Sequence, residues 1–194
     1  MKLSEMELKS GDIGLTTDNS LIGKGIKWFE TMWTGNAKMT HAWSYVGDGN
    51  IVEAIGSIRK SPITNYNTRQ VVVYRVPLSD SERQVVATGL LSMVGGPYGY
   101  WKYPLFIADA GVSWFKRLFG MNRPCFFFSD TFGFPGDPVC SQLVVEALYR
   151  FTSYRIKNLY GTIDEWKQFT PDYLSDELAL PVNGATVVFS SMPA

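Results

Sequence analysis

Cys140 opens the run CSQLVVEALYRF, in which Leu143, Val144, Ala147, Leu148 and Phe151 recur at i, i+3 and i+4. That spacing predicts a helix with a cysteine at its amino terminus. A thiol attacks only as the thiolate, and the partial positive charge of a helix amino terminus lowers its pKa from a free value of about 8.5. A helix packed into a core would hold the sulfur rigidly, and Pro138, two residues upstream, ends whatever precedes it. A cysteine nucleophile also needs a base or a cationic partner, and His41 is the one imidazole in the chain. Glu53, inside the apolar run IVEAI, must pair or lose hydration unrewarded, and orienting an imidazole is one way to pair. Plainer readings stand beside these: a cysteine packed as a small hydrophobe, a solvated strand histidine, a glutamate turned to water.

Whether His41 and Glu53 can meet depends on one hairpin. HAWSYV and IVEAI flank the turn tetrapeptide GDGN, the clearest hairpin signal in the sequence. A two-residue loop at Asp48 and Gly49 would pair Glu53 with Ser44 and turn it to the face opposite His41. A three-residue loop, 47–49, with one glycine in the left-handed region pairs Glu53 with Trp43, on the face of His41. The spare glycine favours the longer loop, so the two side chains are expected together; Asp137 is the fallback carboxylate. Trp43, Tyr45 and Tyr98 are candidates for contact with substrate or with a developing oxyanion, as are the backbone N–H groups at the start of the Cys140 helix.

The surrounding pattern supplies the scaffold. KSGDIGLTT reads as a turn and a short strand, and residues 20–33 as a helix with Ser20 as its cap and two glycines weakening it. Those glycines lack the spacing of a phosphate loop. RQVVVYRVPL is a strand stopped by Pro77. SDSERQVVATGLLSMVGG is a capped helix with Val85, Val86, Leu90, Leu91 and Val94 on its stripe and Gly95 and Gly96 as its stop. The aromatic stretch 98–119 holds a further helix, and NRPCFFFSDTFGFPGDP is an irregular loop. YGTIDEWKQFTPDYLSDEL reads as a loop with a short helical turn, and GATVVFSS as a closing strand. This order argues for an α+β domain with an antiparallel sheet.

Length and composition bound the function. The 194 residues suit one domain, and 45% hydrophobic, 14% aromatic and 19% charged residues describe a globular chain. Lys plus Arg and Asp plus Glu are 18 each, so no global field draws in nucleic acid or an anionic membrane. There is no signal-peptide pattern and no run long enough to span a bilayer, so a cytoplasmic location is expected. Cys125 and Cys140 form no disulfide framework, and an intracellular setting would keep both as thiols, a bridge between the two being the alternative. One histidine and two cysteines do not readily fill a zinc site, and neither a metal nor another cofactor is expected.

Four stretches, GDIGL, THAWSYVGDGNIVEA, GGPYGY and VCSQLVVEA, occur in the order found in circularly permuted papain-fold proteins of the NlpC type, and the chain resembles their YiiX-like group from about Gly11 to Leu174. His41 precedes Cys140, the permuted order. The resemblance implies an antiparallel barrel-like sheet packed on helices, with Cys140 as nucleophile at a helix amino terminus, His41 as base and Glu53 as its orienter. It implies a cysteine peptidase or amidase acting on a small peptide or amide, such as a stem peptide of peptidoglycan. Members similar to lecithin retinol acyltransferase move acyl groups on lipids, so a lipid acyltransferase or thioesterase is the alternative, with a non-catalytic binding protein of the same fold as the third reading. Without an export signal, the wall would be reached by another route, such as phage lysis. An aromatic-rich insertion near 100–134 exceeds the minimal domain and reads as core, partner surface or a lid. The oligomeric state is not legible.

Overall fold

The computed structural model describes residues 2–17, 38–97, 139–158, 161–163 and 169–192, with single positions at 31, 99, 108, 112 and 115. The expected helices at 20–33 and within 98–119, most of the 100–134 insertion, Tyr98, Cys125, Asp137 and Pro138 lie outside the described residues.

The frame is a six-stranded antiparallel sheet of β1 (Ile13–Thr16), β2 (His41–Gly47), β3 (Asn50–Ile55), β4 (Ser57–Pro62), β5 (Val71–Arg75) and β8 (Thr186–Ser190), in the order β4-β3-β2-β1-β5-β8. Among the described residues three α-helices accompany it: α1 (Asp80–Ser92), α2 (Cys140–Phe151) and α3 (Pro171–Ala179); β6 (Lys157–Asn158) and β7 (Gly161–Thr162) form a separate two-stranded ribbon. Because side chains alternate across a strand, the sheet has two apolar faces. Ile13, Leu15, Ala42, Val52, Ala54, Val72 and Tyr74 join Leu143, Val144 and Leu148 of α2 in the main core. Trp43, Ile51, Val71 and Val73 face the other way and are covered by Leu3, Ile63 and Tyr66. β1 is buried along its whole length for that reason.

α2 is the central helix. All nine residues from Cys140 to Leu148 are buried, and each of Leu143, Val144 and Leu148 contributes about 1.5–3 kcal/mol by leaving water. α1 carries the expected cap: the Ser79 N–H donates to Glu82 Oε2 at 2.9 Å, and the Glu82 N–H donates to Ser79 Oγ at 3.3 Å. Its buried face differs from the expected stripe. Arg83, Val86, Ala87 and Leu90 point inward, while Val85, Leu91 and Val94 are exposed, since the i, i+3, i+4, i+7 face passes through 83, 86, 87 and 90.

α3 is also longer than the short turn expected from the sequence. Thr170 accepts the Tyr173 N–H at 3.3 Å and Pro171 occupies the first helical position, a start signal that was legible in the sequence as Thr-Pro-Asp.

The β2–β3 hairpin reaches the expected register by a different route. Asp48 and Gly49, both with positive φ (50° and 70°), make a two-residue turn that closes Gly47 on Asn50. The extra residue sits in the strand instead: the ladder shifts between Tyr45 and Gly47, leaving Val46 as a bulge, so that Tyr45 pairs with Ile51 and Trp43 with Glu53.

Candidate active site

Cys140 is the first residue of α2, buried, and a free thiol. Val139 stands at the cap position with no side-chain oxygen to accept the first N–H groups of the helix. The backbone N–H groups of Ser141 and of Ala42 in β2 favour the ionised sulfur. An uncapped helix start aimed at a sulfur is what a thiolate requires. The Val139 N–H, for its part, donates to Gln142 Oε1 at 3.3 Å.

His41 is the first residue of β2, paired with Thr16 of β1, and its imidazole stands close enough to Cys140 for each to shift the other's ionisation. Its Nε2 is 3.0 Å from Glu53 Oε2, which leaves Nδ1 for the sulfur. Glu53 is fully buried. Oε2 also accepts the hydroxyl of Tyr66, Oε1 accepts Arg59 Nε at 3.1 Å, and Ser61 helps to keep the carboxylate ionised. Arg59 stands directly across the β3–β4 ladder from Glu53. The Tyr66 ring lies nearly parallel to the imidazole, 12° between planes with centroids 6.2 Å apart.

Electrostatics follow from this chain of contacts. Burial pushes the Cys140 thiol up, but the charge and hydrogen bond of His41, with the two backbone N–H groups, outweigh it and hold the thiol below its usual range. Burial alone would lower His41; the Cys140 charge and hydrogen bond, together with Glu53, raise it to about 9 instead. Glu53, which burial would raise, is held at about 2 by His41, Tyr66 and Ser61. Near neutral pH the arrangement therefore favours thiolate, imidazolium and carboxylate, with Arg59 as the fourth charge. The three buried groups are thus joined by a half-exposed guanidinium, so two negative charges meet two positive ones.

The structure brings Cys140, His41 and Glu53 together. Trp43 is fully buried, its indole over Gly14 and 5.6 Å from the Tyr66 ring, so it supports the site from beneath. The Tyr45 hydroxyl accepts the Gly49 N–H at 3.0 Å in the hairpin turn; it lies four residues beyond His41, about 13 Å along the strand at ~3.3 Å per residue. Sequence reading missed Arg59, Ser61 and Tyr66. Arg59 had a signal, since carrying the ladder one strand further places it opposite Glu53. Tyr66 arrives through a short 3-10 turn, Ile63–Tyr66, with no periodicity to announce it. Among the described residues no group of three or more His, Cys, Asp or Glu could hold a metal ion, and no helix is long and apolar enough to cross a membrane.

No protein-family model matches the chain, and no curated protein does. Among solved structures it is similar to the crystal structure of the metalloprotein YiiX from Escherichia coli O157:H7, DUF1105, with a TM-score of 0.51 and 16% sequence identity over 94% of this chain and 89% of that one. The likeness is one of fold: a mixed α+β architecture with an antiparallel sheet packed on helices.

Proposed function

We propose that the chain is a thiol hydrolase of amide bonds, acting as one domain, with Cys140 as nucleophile, His41 as proton shuttle and Glu53 as the group that orients His41. The observation that carries this reading is the convergence of Cys140 at the start of α2, His41 and the buried Glu53, whose Oε2 lies 3.0 Å from His41 Nε2, in a setting that favours thiolate and imidazolium. A merely structural cysteine has no use for an imidazolium. The order of the chain, histidine strand before cysteine helix, supports the further reading of a circularly permuted papain-like fold of the NlpC type.

The thiolate attacks the carbonyl carbon, forming a C–S bond as the carbonyl electron pair moves to oxygen. The uncapped N–H groups at the start of α2 are suited to that oxyanion. Collapse of the tetrahedral adduct breaks the C–N bond, and the leaving amine takes its proton from the His41 imidazolium. Neutral His41 then draws a proton from water, which attacks the thioester; the acid departs and the thiolate–imidazolium pair is restored. Glu53 holds the ring by Nε2 throughout, so Nδ1 faces the sulfur and the reacting groups.

The neighbour of similar fold is described as a metalloprotein. The residues described in this chain do not offer a metal ligand set.

Peptide amides of the cell wall are the proposed substrate class; ester or thioester acyl transfer on lipids would use the same thiolate. Mass spectrometry after incubation with peptidoglycan fragments and, separately, with phospholipid vesicles distinguishes them. Shortened stem peptides and a transient acyl adduct on Cys140 support the amidase. Acyl transfer from the vesicles alone would replace it with the lipid reading, and no change in either pool, with an unmodified Cys140, would sink both.

A further inference from the structure

Cys140 and His41 each begin their element, α2 and β2. An end residue is held from one side only, and element ends fray. Yet a sulfur–imidazole hydrogen bond weakens steeply with distance and angle, so something beyond the helix and the ladder must fix the pair. One short segment, residues 169–172, is bonded to the neighbours of both. Ser141, adjacent to Cys140 and fully buried, donates its hydroxyl to the Phe169 carbonyl at 2.7 Å. Three residues on, Asp172 Oδ1 accepts the backbone N–H of Lys38 at 2.7 Å and of Met39 at 3.1 Å, the lead-in to His41. Thr170 caps α3 between these two points and so fixes Asp172 in the first turn of that helix. Thr40 completes the lead-in by donating its N–H to the Thr16 carbonyl at 3.0 Å. The strand carrying the histidine is thus tied to β1 on one side and to α3 on the other.

We infer that Asp172 is a positioning residue for the Cys140–His41 pair, and that through Asp172 and Ser141 the segment 169–172 sets the distance and angle between sulfur and imidazole. The inference rests on the proposed roles of Cys140 and His41. Asp172 bonds the lead-in to His41. It acts by satisfying two backbone donors that would otherwise be free to pull the lead-in toward another partner.

The test is the pH dependence of Cys140 alkylation by iodoacetamide, followed by mass spectrometry, in the unaltered chain and in Asp172→Asn, Asp172→Ala, Ser141→Ala and His41→Ala, with circular dichroism to establish folding. Asparagine keeps an oxygen that can accept both N–H groups, so Asp172→Asn should retain the low midpoint. Asp172→Ala should move the midpoint up toward an ordinary thiol and slow labelling near pH 6 by about tenfold or more, one pKa unit being tenfold in thiolate. Ser141→Ala, which removes the other tie, should shift it in the same direction by less, and it carries the test if Asp172→Ala does not fold. A folded Asp172→Ala, or failing that a folded Ser141→Ala, with an unaltered profile overturns the inference. An unaltered chain whose midpoint is ordinary and indifferent to His41→Ala overturns the proposed site itself, a separate outcome.

Discussion

Glu53 Oε2 stands 3.0 Å from His41 Nε2 because a single residue, Val46, bulges from the strand between Tyr45 and Gly47. With the same Asp48-Gly49 turn and no bulge, Ser44 would face Glu53, and the carboxylate would point to the helix side of the sheet. One inserted residue thus decides whether the imidazole has a partner.

The first consequence concerns thiol selectivity. With limiting iodoacetamide near neutral pH, Cys140 should be alkylated before Cys125, since the helix start and His41 act on Cys140. Peptide mapping reads the order directly, and prior labelling of Cys125 would show the nucleophile to be misassigned.

Turnover should divide the neighbours by role. Cys140→Ala and His41→Ala abolish it, while Glu53→Gln lowers it less, because an amide oxygen can still accept from the ring. Tyr66→Phe removes one donor to Glu53 and should cost about tenfold in kcat/KM, the lower end for a group that only orients another. Cys125→Ser should leave the rate alone. Equal loss in all five folded variants would point to a structural cause.

Stability should carry the signature of the buried charges. Glu53 falls from 4.5 to about 2 on folding, so its contribution is present above pH 4.5 and lost as pH falls through 2. Unfolding free energies from urea titrations of the unaltered chain and Glu53→Gln should differ by about 3 kcal/mol near pH 6 and converge in acid. His41 rises from 6.5 to about 9, so its contribution is complete below 6.5 and lost as pH climbs through 9. A difference between the two proteins that stays constant from pH 6 to pH 2 would contradict the Glu53 assignment.

How much of this was legible in the residues alone varies with how local the cause is. The α2 stripe, the Ser79 cap and the strand character of 71–75 and 186–190 are written in neighbouring residues, and the structure has them. The Glu53–Trp43 pairing was also expected, but from a three-residue loop; a turn signal and a bulge give the same parity, and nothing in GDGN separates them. The contacts of Tyr66 with Glu53 and of Asp172 with 38–39 join positions 13 and more than 130 residues apart, and no periodicity encodes such meetings.

Gly14→Ala tests the support beneath the site. A Cβ at Gly14 would fall 2.0 Å from the Trp43 ring, which is buried and cannot swing into solvent. Overpacking should cost about 3 kcal/mol and, by displacing Trp43 against Tyr66, slow Cys140 alkylation as well. An unaltered melting temperature would show that the indole has room to move.

Cys140 is expected to exist as a thiolate paired with the His41 imidazolium. The thiolate ultraviolet absorbance, titrated as the difference between the unaltered chain and Cys140→Ala, measures it most directly. The expected result is one thiolate persisting well below the ordinary thiol pKa of about 8.5, and its loss in a His41→Ala background. A Cys140 that ionises at or above that value, with or without His41, would contradict the account.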